Sequence, residues 1–86
     1  MEVTKKLLNE DGLHARPAGL LAKTASGFQC KVEVSYNGRT VNAKSSMSLM
    51  TLGLVKECEF QLKADGVDAE QALQVLSQII DSKFQV

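Results

Sequence analysis

Tryptophan is absent from this chain of 86 residues, which has one proline, one histidine and two cysteines. Aromatic residues make up 5%, too few for the stacking platforms on which single-stranded nucleic acids lie. An excess of one charge is also missing. Ten Lys and Arg are matched by ten Asp and Glu, whereas a nucleic-acid module carries a basic stripe that neutralises phosphates. Direct nucleic-acid binding is therefore not expected. No apolar run approaches the roughly 18 residues of a membrane span, and the opening MEVTKKLLNEDG lacks the apolar region of a signal peptide. The expectation is a soluble cytoplasmic chain with no membrane insertion. Cys30 and Cys58 lack the paired C-x-x-C spacing of zinc and redox sites. Both fall in alternating, strand-like segments, where a reduced thiol behaves as a small buried hydrophobe. Linkers, repeats and low-complexity stretches are absent too, so residues 1–86 read as one domain, burying about 60–65% of its unfolded surface.

What is there is a clear alternation of patterns. Segment 2–8 reads as a strand, made ragged by Lys5 and Lys6, and Glu10, Asp11 and Gly12 form a polar loop. From Ala15 the period becomes helical: Ala18, Leu21, Ala22 and Ala25 line one face. Pro17 suits the first turn, and Gly27 closes the helix. Gly19 inside it costs about 1 kcal/mol relative to Ala, which points to close packing or contact. Cys30, Val32, Val34 and Tyr36 then alternate with Gln29, Lys31, Glu33 and Ser35, as in a strand with one wet face. Asn37-Gly38 is the preferred pair for a two-residue hairpin turn with positive φ at both positions. Thr40 to Lys44 returns as the partner strand, with Val41 and Ala43 on one side. Ser45-Ser46 offers an N-cap for a short helix to about Leu52, ended by Gly53. Cys58, Phe60, Leu62 and Ala64 mark a fourth strand, and Asp65-Gly66 turns the chain. Asp68 should cap a last helix striped by Ala69, Ala72, Leu73, Leu76, Ile79 and Ile80, with Gln71 completing a capping box. The order βαββαβα implies an α+β two-layer sandwich with three helices on one face and water on the other. Its core should come from the even-numbered strand residues and the helix stripes.

The lone histidine stands in Gly12-Leu13-His14-Ala15-Arg16-Pro17-Ala18, where loop becomes helix. A first helical turn presents unpaired N–H groups, which with the helix dipole favour an anion. Arg16 adds a charged fork matched to phosphate oxygens, and imidazole is nucleophilic near neutral pH. A phosphoryl group could rest on His14 and leave again. The same residues also fit a plain surface histidine, or a histidine standing in for an N-cap, beside a solvated arginine. No metal-ligand cluster, Ser/His/Asp set or Walker-type loop competes for a role. With no nucleotide motif, the donor should be a protein; neither cofactor nor metal is expected. Met47, Leu49, Met50, Leu52 and Leu54 are more apolar residues than a short helix can bury. Met47 and Met50 are expected outside and Leu49 or Leu52 inside, and Met47, Met50, Leu49 and Gly19 form the expected partner-docking set.

Residues 12–18 resemble the active-site signature of the HPr family, the histidine-containing phosphocarriers of the bacterial sugar phosphotransferase system. Asn42 to Gly53 is similar to that family's regulatory-serine segment. The Asn37-Gly38 hairpin and the Gly66-x-Asp68-Ala69-Glu70-x-Ala72-Leu73 helix start fit as well. The resemblance implies an open-faced β-sandwich with an antiparallel sheet in the order 1-4-2-3. It implies that enzyme I phosphorylates His14 at the expense of phosphoenolpyruvate, and that sugar-specific IIA domains receive the group. Arg16 would be the active-site arginine, with Ala15 and Pro17 supporting the turn. Such a carrier is not a stand-alone catalyst, and a monomer is its default state.

Ser45 matches the serine that an ATP-dependent HPr kinase/phosphorylase modifies, which brings a catabolite-control transcription factor into the implied partners. Phosphate there would be held by helix N–H groups and would add about −2 charges beside the docking surface. As a plain N-cap, Ser45 is worth about 1 kcal/mol over Ala. Three positions depart from the family pattern. Ser46 replaces a large apolar residue and Gly19 an Ala or Thr. Asp11 stands where Ser, Thr or Asn is usual, and is expected to repel a phosphoryl group on His14. Two alternatives follow: a Ser45-phosphorylated catabolite-repression co-regulator, or a carrier in a specialised non-sugar chain. The family's co-regulator paralogue lacks the histidine, so His14 speaks against the first; Ser46 and Ser48 leave the second open.

Overall fold

A computed structural model describes residues 1–85. The seven elements are β1 (Glu2–Lys6), α1 (Ala15–Ser26), β2 (Lys31–Tyr36), β3 (Arg39–Asn42), α2 (Ser46–Met50), β4 (Glu59–Asp65) and α3 (Ala69–Asp81). Asn37 and Gly38 take φ of 52° and 81°, the conformation a tight hairpin turn demands. β3 therefore folds straight back on β2, pairing Tyr36 with Arg39 and Val34 with Val41. β4 inserts between β1 and β2, giving an antiparallel sheet in the order β1-β4-β2-β3. Order and layering are those expected of an open-faced sandwich.

One face of the sheet is the floor of the core. Val32 and Val34 of β2 and Phe60, Leu62 and Ala64 of β4 are buried there against Leu21 and Ala25 of α1 and Leu76 and Ile80 of α3. Each large side chain so placed contributes about 1.5–3 kcal/mol of apolar burial. The other face is wet, and its charges compensate in cross-strand rows. Lys63 stands opposite both Glu2 and Glu33, Lys31 opposite Asp65, and Lys6 opposite Glu59. Opposed charges at such positions stabilise the pairing modestly.

The structure corrects four expectations. The even-numbered rule holds in β2 and β4 but not in β1 or β3. Register sets Val3 against Leu62 and Lys5 against Phe60, so β1 turns its odd residues inward. Lys5 reaches past the core to Asp81 of α3, 2.7 Å away. Val41 and Ala43 face the core likewise. Parity restarts at each connection, because loop length decides which side chain enters the next strand facing in.

Second, strand 2–8 stops at Lys6. Leu7 is fully buried and its N–H donates to the Cys58 carbonyl at 2.9 Å. The cysteines lie outside the strands: Cys30 is buried just before β2, and Cys58 is half-buried just before β4. Burial pushes the Cys30 thiol up. A 3.3 Å contact joins Tyr36 Oη and Cys58 Sγ, and this hydrogen bond holds the Tyr36 hydroxyl above its ordinary value.

Third, Asp68 occupies the N-cap of α3 without capping it. Its carboxylate accepts the N–H groups of Gln29 at 2.9 Å and Cys30 at 2.8 Å, so no capping box forms with the exposed Gln71. These backbone donors, Gln29 first, hold the Asp68 carboxyl below its ordinary range. The tether brings Gly66 against Cys30, where an added Cβ would lie 2.7 Å from the Cys30 Cα. Fourth, a Cβ at Gly19 would meet nothing within 4 Å, so close packing does not account for that glycine. Among the described residues no helix is long and apolar enough to cross a membrane.

Candidate active site

The site is built from a loop whose backbone is held at several points. Asn9 is buried, and its side-chain amide donates to the Gly12 carbonyl at 2.6 Å, while the Gly12 N–H returns to the Asn9 carbonyl at 3.2 Å. Gly12 takes φ of 69°, and a Cβ there would lie 2.7 Å from the Leu54 carbonyl oxygen. Only glycine fits that conformation and that approach. Leu13, buried, donates its N–H to the same carbonyl at 3.0 Å. Outside this seam Glu10 pairs with Lys56 at 2.7 Å. The Lys56 ammonium holds the Glu10 carboxyl below its ordinary value, and Glu10 in turn raises Lys56.

His14 follows as the N-cap of α1, with extended backbone (φ −97°, ψ −162°) and its carbonyl accepting from Ala18 N–H at 2.9 Å. The ring makes no capping hydrogen bond and its side chain is 48% exposed. The first turn of α1 contains no acidic residue, so the positive end of the helix is not neutralised from within. Pro17 is buried beneath the turn and anchors it, leaving Ala15 and Arg16 exposed to solvent. Asp11 Oδ2 lies 3.6 Å from His14 Nε2.

A cleft of about 280 Å³ opens beside the loop, lined by Asn9, Asp11, Arg16, Pro17 and Lys83 among others. Lys83 was not legible in the sequence. After α3 the chain turns through positive φ at Lys83 (61°) and Phe84 (62°). The Phe84 side chain is buried, and its N–H bonds the Ile79 carbonyl at 2.9 Å. An aromatic residue just past an apolar stripe hints at such an anchor, but nothing local says that the lysine beside it faces the first helix. Asn9 was missed too; its value lies in backbone atoms three residues on. A second groove of about 300 Å³ lies on the open sheet face among Lys31, Glu33 and Lys63, side chains that already compensate one another.

The second expected site is on α2, which packs beside α1. Ser45 is its N-cap, the hydroxyl accepting from Ser48 N–H at 3.3 Å. At the other end Arg39 donates to the Thr51 carbonyl at 2.7 Å and to the Thr51 hydroxyl at 3.1 Å, where the helix dipole favours a cation. Met47 is 75% exposed and Met50 39%, facing out as expected. Leu49 is completely buried and Leu52 and Leu54 nearly so. Leu49 therefore leaves the docking set, since it has no surface to offer; it anchors α2 to the core. Gly19 is half-buried on α1.

Residues 1–82 match the family model described as the PTS HPr component phosphorylation site. The chain is similar to the crystal structure of HPr from Thermoanaerobacter tengcongensis, with a TM-score of 0.96 and 43% identity over 100% of this chain and 97% of the other. It is also similar to the histidine-containing phosphocarrier protein of Mycoplasma, with a TM-score of 0.90 and 36% identity over 98% of this chain and 97% of that one. The Bacillus subtilis catabolite-repression protein Crh aligns at a TM-score of 0.79 and 36% identity, over 90% of this chain and 88% of its own.

Proposed function

The chain belongs to the HPr component family of the phosphotransferase system, and from that premise we propose that it is a phosphocarrier that takes a phosphoryl group onto His14. The donor is enzyme I, charged from phosphoenolpyruvate, and the acceptors are sugar-specific IIA domains. One observation carries the reading. The only imidazole is exposed and free of capping bonds at the start of a helix whose first turn holds Arg16 and no acid. Helix N–H groups and guanidinium supply the charge a phosphoryl group needs during transfer. Arg16 stabilises the phosphoryl oxygens, Ala15 and Pro17 shape the turn, and Met47, Met50 and the neighbouring Gly19 face partners. The carrier works in the cytoplasm as a monomer that docks transiently, without metal or cofactor.

The test is incubation with enzyme I and phosphoenolpyruvate, followed by intact-mass measurement. Wild type should gain one phosphate that mild acid removes, and His14→Ala should gain none. Absence of a gain on wild type, with enzyme I active on a control carrier, would end this reading.

Ser45 supports a second, compatible role. Its hydroxyl is half-buried at an N-cap held only by a 3.3 Å bond, and phosphate placed there would find the same N–H groups. Modification by an HPr kinase/phosphorylase would put negative charge beside Met47, hinder docking, and create a surface for a catabolite-control transcription factor. ATP and that kinase should give acid-stable phosphate on wild type and none on Ser45→Ala.

A further inference from the structure

The carboxylate of Asp11 has one partner among the described residues, and it is the imidazole. Oδ2 stands 3.6 Å from Nε2 of His14, inside ion-pair range and just beyond a hydrogen bond. Both side chains are accessible, Asp11 at 74% and His14 at 48%, so a small rotation of the carboxylate closes the gap. What keeps the two together is backbone. Asn9, Gly12 and Leu13 fix the loop on one side of Asp11 and the start of α1 on the other. Arg16 and Lys83 line the same cleft, yet among the described residues the carboxylate comes within ion-pair range of His14 alone.

Nε2 is the ring nitrogen far from the backbone. Nδ1, the nearer one, makes no capping bond to α1. We propose that Asp11 is a positioning residue for His14: its carboxylate holds the proton on Nε2 and so presents the Nδ1 lone pair as the nucleophile. A neutral imidazole has one N–H and one lone pair, and the neighbour of either nitrogen decides which is which. In transfer, the Nδ1 lone pair forms the bond to phosphorus. The bond between phosphorus and the phosphorylated protein donor breaks, and its electron pair leaves with the donor. Nε2 keeps its proton, and the ring becomes a cation facing the carboxylate. Passing the group on reverses this: the N–P pair returns to Nδ1 and the ring leaves neutral.

This placement changes what Asp11 means. As an acid near a phosphoryl group it is expected to repel; as a partner of the opposite nitrogen it has the ring between itself and that group. The tautomer claim stands by itself, and only its consequence for transfer rests on the carrier reading.

The experiment measures ¹⁵N shifts of the His14 ring in unphosphorylated protein, at a pH where the ring is neutral. Wild type should be dominated by the Nε2–H form. In Asp11→Ser the ratio of Nε2–H to Nδ1–H should fall roughly two- to fivefold, the scale of one solvent-exposed hydrogen bond. An unchanged ratio overturns the proposal, whether or not His14 is ever phosphorylated. With enzyme I as donor, Asp11→Ser should accept phosphate more slowly by a similar factor. Faster acceptance would make Asp11 merely repulsive and overturn its part in transfer.

Discussion

α1 and α3 begin in opposite ways. At the start of α3, Asp68 places its carboxylate over the N–H groups of Gln29 and Cys30, and Glu70 sits in the first turn. Two acids there offset the positive end of the helix dipole and sew α3 to the start of β2. At the start of α1 there is no acid in the first turn, the N-cap side chain bonds nothing in the helix, and the neighbouring cation is Arg16. A helix end left this way sacrifices some stability, since an N-cap bond is worth about 1 kcal/mol. The contrast separates a terminus used for structure from one left uncapped, which on the proposed reading receives the phosphoryl group. The open end stays ordered because its anchors lie elsewhere, in Pro17 beneath it and in the seam of Asn9, Gly12 and Leu13 behind it.

That contrast can be broken most sharply at Arg16. In Arg16→Ala, phosphoryl acceptance by His14 should fall about a hundredfold, the scale of losing one charge-stabilising donor, while the melting temperature holds because the side chain is exposed. Loss of fold in that variant would make Arg16 structural. Making α1 resemble α3 is the next test. Ala15→Glu puts an acid in the exposed first turn. It should stabilise the fold by about 0.5 kcal/mol through the dipole and slow phosphate acceptance about tenfold, measured by calorimetry and by mass-resolved kinetics. Acceptance at the wild-type rate would show that the helix end contributes nothing to the site.

The smallest effect is expected at α3. Because the Asp68 carboxyl is held below its ordinary value of 3.8, its ionised form favours the folded state. That contribution is complete above the unfolded-state value and is lost as pH falls through the lower folded one. Asp68→Asn should therefore melt earlier at neutral pH, and the gap to wild type should close in acid below about pH 4. A gap that persists in strong acid would assign the loss to shape rather than to charge.

Much of the fold was legible because its signals are local. The Asn37-Gly38 turn needs positive φ and has the two residues that tolerate it. The α1 and α3 stripes repeat at the helical period, and the strand alternations of β2 and β4 declare their wet and dry faces. His14 and Arg16 could be read as a pair because both lie within one turn of a predictable helix start. Asp68 shows where such reading stops. An aspartate before an apolar stripe looks like a cap, yet its oxygens find better donors at Gln29 and Cys30, some forty positions away in the chain.

The sequence by itself therefore determined the elements, their order, the side of β2 and β4 that is buried, and the helix start that carries His14. Only the tertiary structure decided which residues of β1 turn inward, that Leu49 is hidden while Met47 is not, and that Lys83 shares a cleft with Arg16. It also decided that the Asp11 carboxylate lies on the Nε2 side of the ring. The physical reason is range. Period, propensity and turn chemistry act between residues a few positions apart, whereas register, burial and the pairing of distant charges are settled when separate elements compete for the same space.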